Sequence, residues 1–298
     1  MKVRLLKTEG KGYFEEVMWD KPEPDFEAGE IEVQACLTGI CRSDIDMMVG
    51  KFGPLPLHMQ GHEGLGRVTR ADGNTQVSVG DYVATRGEPA YADFYNVKRG
   101  EFVIVPENKP DYILEPMACG INLIKASERL VRARYQPGAR VLILGSGFLA
   151  FVAYAYLTNE FPLFEEIDVV GNHNKDWWGK LLKTQPSGLY DVVVDLGSDT
   201  QVLDKDYYQN NALIIFGVQK PIQTDFAKLL WKSCSMTFPS PSSDYFLQSM
   251  ELAKIMVQRG SVPAWRFWTN EYARNDWERA FKEGLYRPPG YVRGYLRW

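Results

Sequence analysis

Apolar positions along the first third of the chain recur every second residue in short runs: IEVQACLTG at 31–39, GLGRVTRA at 64–71, DYVATRG at 81–87 and EFVIVPE at 101–107. Each run is bounded by Gly, Pro, Asn or Asp. This alternation predicts half-buried strands, so residues 1–110 read as β-rich, with one short helix from Arg42 to about Val49. Near residue 114 the pattern changes. LEPMACGINLIKASERLVRARY carries apolar residues at helical spacing and predicts one helix. In RVLILGSGFLAFVAYAYLTNEF an apolar strand, a glycine turn and an apolar helix follow one another. IDVVG, YDVVVDLG and ALIIFGV are then short apolar runs divided by helix-length segments. Strands buried on both faces look like this, which predicts a parallel sheet with crossover helices. A helix is predicted over 243–259, ending at Gly260, and the tail from about 261 returns to mixed short elements.

Composition narrows the class. Of 298 residues, 45% are hydrophobic and 24% charged, the balance of an ordinary globular chain with core enough for one large or two medium domains. The net charge of −4 lacks the basic footprint of a nucleic-acid binder. No apolar run approaches the roughly 20 residues that span a bilayer, and MKVRLLKTEGKGYF has neither the apolar core nor the cleavage site of a signal peptide. Cysteines at 36, 41, 119 and 234 have no paired spacing. No disulfide framework is expected, and the reading is a cytoplasmic protein without a membrane or nucleic-acid partner. Cys36 and Cys234, in apolar strand-like runs, are expected in the core.

The strand Val141–Leu144 runs into Gly145, Ser146, Gly147, Phe148, Leu149 and Ala150, a GxGxxG turn with Ala in its last place. Gly145 permits the tight turn and Gly147 a close approach of backbone to a pyrophosphate. Ala150 allows close packing of helix on strand. The helix that begins at Phe148 and Leu149 offers free N–H groups and a positive dipole end to phosphates. These features predict a nicotinamide dinucleotide cofactor. The next strand should end in an acid that binds ribose hydroxyls. That position holds Gly171 or Asn172 instead, with His173 and Lys175 following. A carboxylate would repel a 2′-phosphate. Its absence favours NADP(H) slightly over NAD(H), with His173 and Lys175 as donors.

Chemistry of another kind gathers in GICRSD and GHEGLG. Cys41 and His62 are soft and borderline donors suited to zinc, Glu63 follows directly, and Glu115 lies in LEP. Three protein ligands and one open position make a catalytic zinc site.

GICRSD, GHEGLGRV, VGDYV, LEP, GSGFLA and the closing GYVRGYLRW occur in the order in which they occur in one family. Together they resemble the zinc-dependent medium-chain dehydrogenases/reductases, which include alcohol, sorbitol and threonine dehydrogenases. The resemblance covers nearly the whole chain. It implies an α/β chain, a doubly wound Rossmann sheet over 119–241 and a β-rich, GroES-like irregular barrel over 1–118 and 242–298. It further implies one catalytic zinc on Cys41 and His62, with Glu115 as third ligand and Glu63 as ligand or exchangeable neighbour. Asp44 would orient His62, and Ser43 would pass a proton outward. Asp46 stands where a relay histidine is common. Arg42 and Arg293 would touch the cofactor pyrophosphate. The cysteine-rich lobe of many relatives is missing after VGDYV, so no second zinc is expected. Substrate walls would come from Phe52–His58 and Tyr91–Phe94. The implied reaction interconverts a secondary alcohol, polyol or sugar alcohol and its carbonyl. The implied assembly is a homodimer or homotetramer, with ALIIFGV as its edge strand. The alternatives are a zinc-free quinone or enone reductase of the same superfamily, a lyase or epimerase on this scaffold with tightly bound cofactor, and a non-catalytic nicotinamide-binding relative.

Overall fold

The computed structural model describes residues 1–53, 60–73, 76–197, 202–218 and 224–298. In chain order its elements begin with β1 (Lys2–Lys7), β2 (Glu15–Asp20), β3 (Ile31–Gly39), α1 (Arg42–Met48), β4 (Gly64–Arg70), β5 (Tyr82–Thr85), β6 (Phe94–Val97) and β7 (Phe102–Val105). There follow α2 (Glu115–Lys125), α3 (Glu128–Arg132), β8 (Arg140–Leu144), α4 (Phe148–Glu160), β9 (Glu166–Val170), α5 (Lys175–Trp178), β10 (Leu182–Lys183) and β11 (Tyr190–Asp195). The last are β12 (Tyr208–Phe216), α6 (Phe226–Trp231), β13 (Ser235–Thr237), α7 (Phe246–Gln258), β14 (Trp268–Ala273), α8 (Trp277–Tyr286) and β15 (Arg293–Arg297). The chain forms two compact units, Met1–Pro116 with Met250–Trp298, and Met117–Ser249.

The first unit is organised around β3. Its first half pairs with β6, its last residues pair with β15, and β4 runs along its other edge, all antiparallel. The sheet continues from β4 to β5 and β7, and on the far side from β15 to β14. Ile31, Val33 and Ala35 of β3 pack with Val68, Val83, Tyr95 and Val97 in one buried cluster, as the period-two pattern requires. A second cluster fixes α1. Ile45 and Met48 of that helix pack with Phe14, Tyr91, Ala280 and Phe281. The Phe14 ring stacks on Phe281 at 3.9 Å, and Tyr91 meets both rings edge-on at 5.8 and 5.3 Å.

The second unit is a six-stranded parallel sheet in the order β10-β9-β8-β11-β12-β13. Numbered within the unit this is 3-2-1-4-5-6, the doubly wound order, in which ligands bind beyond the carboxyl ends of the strands. Three expectations change here. ALIIFGV lies in β12, between β11 and β13, so it is an inner strand and the three-residue β13 forms the edge. The long helix expected from 114 is broken. Ser127 begins a new helix, α3, and its hydroxyl is 2.8 Å from that of Thr237. Cys36 and Cys234 are half-buried instead of core residues. The crossover from β9 to β10 has the one-turn α5 and a 3-10 turn at Gly179–Leu181, and polar contacts staple the strands nearby. Asp168 of β9 accepts bonds from Tyr190 at 2.5 Å and Ser187 at 2.9 Å, and pairs with Lys183 at 2.5 Å.

Phe281 is 2% exposed and sits at the centre of the aromatic set beneath α1. Phe281→Ala is expected to lower the unfolding free energy of the protein by about 3–5 kcal/mol, measured by urea denaturation.

Candidate active site

Strand register builds this site. Thr38 of β3 is paired with Gly64 of β4, so the residues just past the end of β3 lie beside those just before β4. The Gly39 N–H donates to the Glu63 carbonyl at 2.9 Å, and the Ile40 N–H to the Gly294 carbonyl at 2.9 Å. Cys41, His62–Glu63 and Arg293 thereby come to one place. The thiol of Cys41, a ring nitrogen of His62 and a carboxylate oxygen of Glu63 all lie within 4.8 Å of one another. A thiol, an imidazole and a carboxylate at that spacing match the donor chemistry of zinc.

Behind His62 stands Asp44, fully buried. One of its oxygens accepts from the Cys41 N–H at 2.8 Å and from the Tyr91 hydroxyl at 2.7 Å. The other, Oδ1, is buried with no hydrogen-bond partner among the described residues and lies 3.6 Å from His62 Nδ1. A carboxylate on the far nitrogen of an imidazole fixes which nitrogen faces the reacting side. Burial pushes the Asp44 carboxyl upward, and the nearby His62 opposes this. Burial also pulls His62 down, but Asp44, Cys41 and Glu115 outweigh it and hold the ring well above the ordinary histidine range. Ser43 Oγ is 3.4 Å from His62 Nε2. Tyr91, expected in a substrate wall, is instead a fully buried support for Asp44, with its hydroxyl also 3.0 Å from the Gly39 carbonyl.

Glu63 is buried, and both of its oxygens bond Arg293 Nη2, one at 2.5 Å. The Arg293 guanidinium also lies over the Trp268 ring at 5.1 Å, and Glu63 raises its pKa against the pull of burial. The structure therefore gives Arg293, expected at the cofactor pyrophosphate, a carboxylate partner inside its own unit. Asp46 pairs with Arg42 at 3.0 Å and with Lys51 at 2.7 Å, which occupies the carboxylate expected in the proton relay. Glu115 is 2% exposed at the start of α2 and falls outside the group of three donors, though its charge acts on His62. Sequence reading overlooked Glu88, whose half-buried carboxyl is pushed up by burial and whose strongest charged neighbour is His62. Its signal was an acid in the short link between β5 and β6, where the cysteine lobe is missing. Of the expected wall Phe52–His58, residues 54–59 lie outside the described residues.

The second unit carries the glycine turn. Gly145 has φ +112°, and a Cβ there would lie 3.2 Å from the Leu196 backbone. A Cβ on Gly147, the N-cap of α4, would meet nothing within 4 Å, so the turn is open on that side. Phe148 and Ala150 are buried and Leu149 half-buried. The loop after β9 folds back onto this turn. Ser146 Oγ donates to the His173 carbonyl at 2.8 Å and accepts from its N–H at 3.1 Å. The Ser146 carbonyl accepts from Asn174 Nδ2 and Trp178 Nε1, both at 3.1 Å. Asn172, His173 and Lys175 are exposed beside it, with no acid between Gly171 and Lys175.

Gly39 is the tightest position at the donor cluster. A Cβ there would lie 2.1 Å from Glu63 Oε2 and 2.9 Å from the Trp268 ring. Gly39→Ala is expected to displace the Glu63 carboxylate and to weaken any binding of added zinc by the Cys41, His62 and Glu63 donors about tenfold or more, since losing one donor of three leaves a poorer site. Competition with a chromophoric chelator measures this.

Residues 27–109 match the alcohol dehydrogenase GroES-like domain family. NADP-dependent alcohol dehydrogenase 6 of Saccharomyces cerevisiae is 26% identical over 166 residues, 42% of this chain and 45% of that protein. An alcohol dehydrogenase of Moraxella sp. is 30% identical over 190 residues, 52% of this chain and 54% of that protein. The chain spans about half the length of the curated relatives it matches. Among solved structures, S. aureus TarJ in complex with NADPH superposes with a TM-score of 0.79 at 16% identity, over 100% of this chain and 99% of that one. That likeness is one of fold.

Proposed function

We propose, for a chain that belongs to the medium-chain dehydrogenase/reductase family, the work of a zinc-dependent, NAD(P)-linked dehydrogenase. It would interconvert a secondary alcohol, polyol or sugar alcohol and the corresponding carbonyl by hydride transfer. The observation that carries this reading is the convergence of Cys41, His62 and Glu63 within 4.8 Å, with buried Asp44 behind the imidazole. Those three residues would hold the ion, with Glu115 as a further buried carboxylate in reserve. Zinc held there supplies Lewis acidity, which eases loss of a hydroxyl proton and polarises a carbonyl.

The chain's own residues do the rest. Asp44 keeps His62 oriented, and Tyr91 keeps Asp44 in place. Ser43, beside His62, relays the hydroxyl proton, accepting it in oxidation as it passes its own proton outward to solvent, and running the same exchange backwards in reduction. The open backbone at Gly147 and the start of α4 receive the cofactor pyrophosphate. The preference for NADP(H) is supported by the acid-free stretch Gly171–Lys175, where a 2′-phosphate meets His173 and Lys175 instead of a carboxylate.

Metal analysis of the purified protein, of Cys41→Ala and of Glu115→Ala, with NADH and NADPH titrations on the same samples, tests the proposal. The expected result is about one zinc per chain in the native protein, lost in Cys41→Ala while NADPH still binds. NADPH is expected to bind about tenfold more tightly than NADH, and Lys175→Glu to reverse that order. A chain that binds nicotinamide but never zinc would sink the Lewis-acid reading and leave a zinc-free reductase.

A further inference from the structure

The strand β9 runs out into glycine, where an acid was expected, for a steric reason. A Cβ on Gly171 would lie 2.4 Å from Ser146 Oγ and 2.7 Å from Ser146 Cβ, closer than side chains approach one another. Only a residue without a side chain lets the chain leave β9 against Ser146. Ser146 is itself 4% exposed, and it is the one residue between Gly145 and Gly147. The loop from Gly171 to Trp178 and the glycine turn are therefore built onto each other, inside one unit.

The Ser146 hydroxyl spans the backbone of His173, and the Ser146 carbonyl takes two side-chain donors, Asn174 Nδ2 and Trp178 Nε1, both at 3.1 Å. A carbonyl oxygen has two lone pairs, so both are used. Asn174 reaches it from φ +53°, a left-handed conformation that asparagine adopts more readily than most residues. Trp178 is 3% exposed, and its ring packs on Phe151 at 5.3 Å and on Tyr154 at 5.5 Å. Both of those residues belong to α4, the helix that the turn opens.

A turn with glycine on either side of one residue has little stiffness of its own, because glycine gives up more backbone freedom on ordering than any other residue. A dinucleotide binds the chains whose turn already has the receiving conformation, and the apparent affinity scales with that fraction. Donors fixed to the Ser146 carbonyl raise the fraction. We infer that Trp178 and Asn174 are positioning residues for the dinucleotide, which act through Ser146 to hold the Gly145–Gly147 turn in the form that receives a diphosphate. The inference rests on the proposed reading of that turn as the cofactor site and is independent of the zinc reading.

Calorimetric titration of ADP, NADPH and NADH into the native chain, Trp178→Phe, Asn174→Gly and the double variant tests it. Phenylalanine keeps a ring against Phe151 and Tyr154 and removes the N–H. Glycine keeps the left-handed backbone and removes the amide. ADP carries a diphosphate without a 2′-phosphate or a nicotinamide, so it reports on the turn. All three ligands are expected to bind about fivefold more weakly in each single variant and about twentyfold or more in the double. Tyr154→Leu loosens the ring packing and leaves both donors. It is expected to lower the thermal midpoint and to leave the three affinities at room temperature unchanged. An equal loss of affinity in Tyr154→Leu would make packing the cause and overturn the inference. A loss confined to NADPH would place the effect on the 2′-phosphate donors and overturn it too. Native affinities in the double variant overturn it while the dinucleotide reading stands, whereas a native chain that binds none of the three overturns both.

Discussion

The donor cluster depends on one register. Because Thr38 faces Gly64 across an antiparallel pair, the last residues of β3 and the first of β4 emerge side by side at the same end of the sheet. Because Tyr295 faces Gly39 on the other flank, the start of β15 emerges there too. A slip of one residue in either pairing would turn side chains to the opposite face. It would also separate the Gly39 N–H from the Glu63 carbonyl. An irregularity between Ala35 and Leu37 adjusts β3 against β4 just before the site, the kind of local feature that re-aims side chains near active sites. The packing of Ile45 and Met48 onto Phe14 and Phe281 then holds α1, and with it Cys41, Ser43 and Asp44, against that strand end.

Burying charge at this end of the sheet is costly, and the fold meets Asp44 and Glu63 with specific partners. An unpaired ion in the interior costs several kcal/mol. Asp44 has the Cys41 N–H, the Tyr91 hydroxyl and the imidazole of His62. Glu63 has the Arg293 guanidinium, itself over Trp268. The aromatic shell below gives Tyr91 its position, so the orientation of His62 rests on packing several residues away. Gly39 contributes by the absence of a side chain, since any Cβ would occupy the space of the Glu63 carboxylate.

Local pattern made much of this legible. The strands 31–39 and 64–70, the helix from Arg42 and the strand before Gly145 follow from period-two and continuous apolar runs read off neighbouring residues. The glycine turn was legible for the same reason, since its chemistry is contained in six consecutive positions. What the sequence did not reveal are relations across long separations. Nothing within GYVRGYLRW says that Arg293 would reach Glu63, 230 positions earlier. Nothing in YADF marks Tyr91 as the support of Asp44, because a buried tyrosine and a pocket-wall tyrosine have the same local pattern. The break at Ser127 also depended on a distant partner, Thr237. ALIIFGV was apolar throughout because it is flanked by strands on both sides, which is the property that removes it from the edge.

The three donors at Cys41, His62 and Glu63 are unequal for a physical reason. The Cys41 backbone is pinned as the N-cap of α1, its N–H bonded to Asp44, and the His62 ring is steered by Asp44, so both are set before any ion arrives. Glu63 is set by a competitor. Its two oxygens already bond a guanidinium, and a cation that takes one of them must share the carboxylate with Arg293. Sharing weakens the donor but leaves it a neutralised, hydrogen-bonded resting place when it lets go, since the bond to Arg293 remains. A carboxylate with two stable states can exchange places with an incoming oxygen ligand. On the proposed zinc reading, the same ion pair that makes Glu63 tolerable in the interior would also make it the exchangeable member of the set.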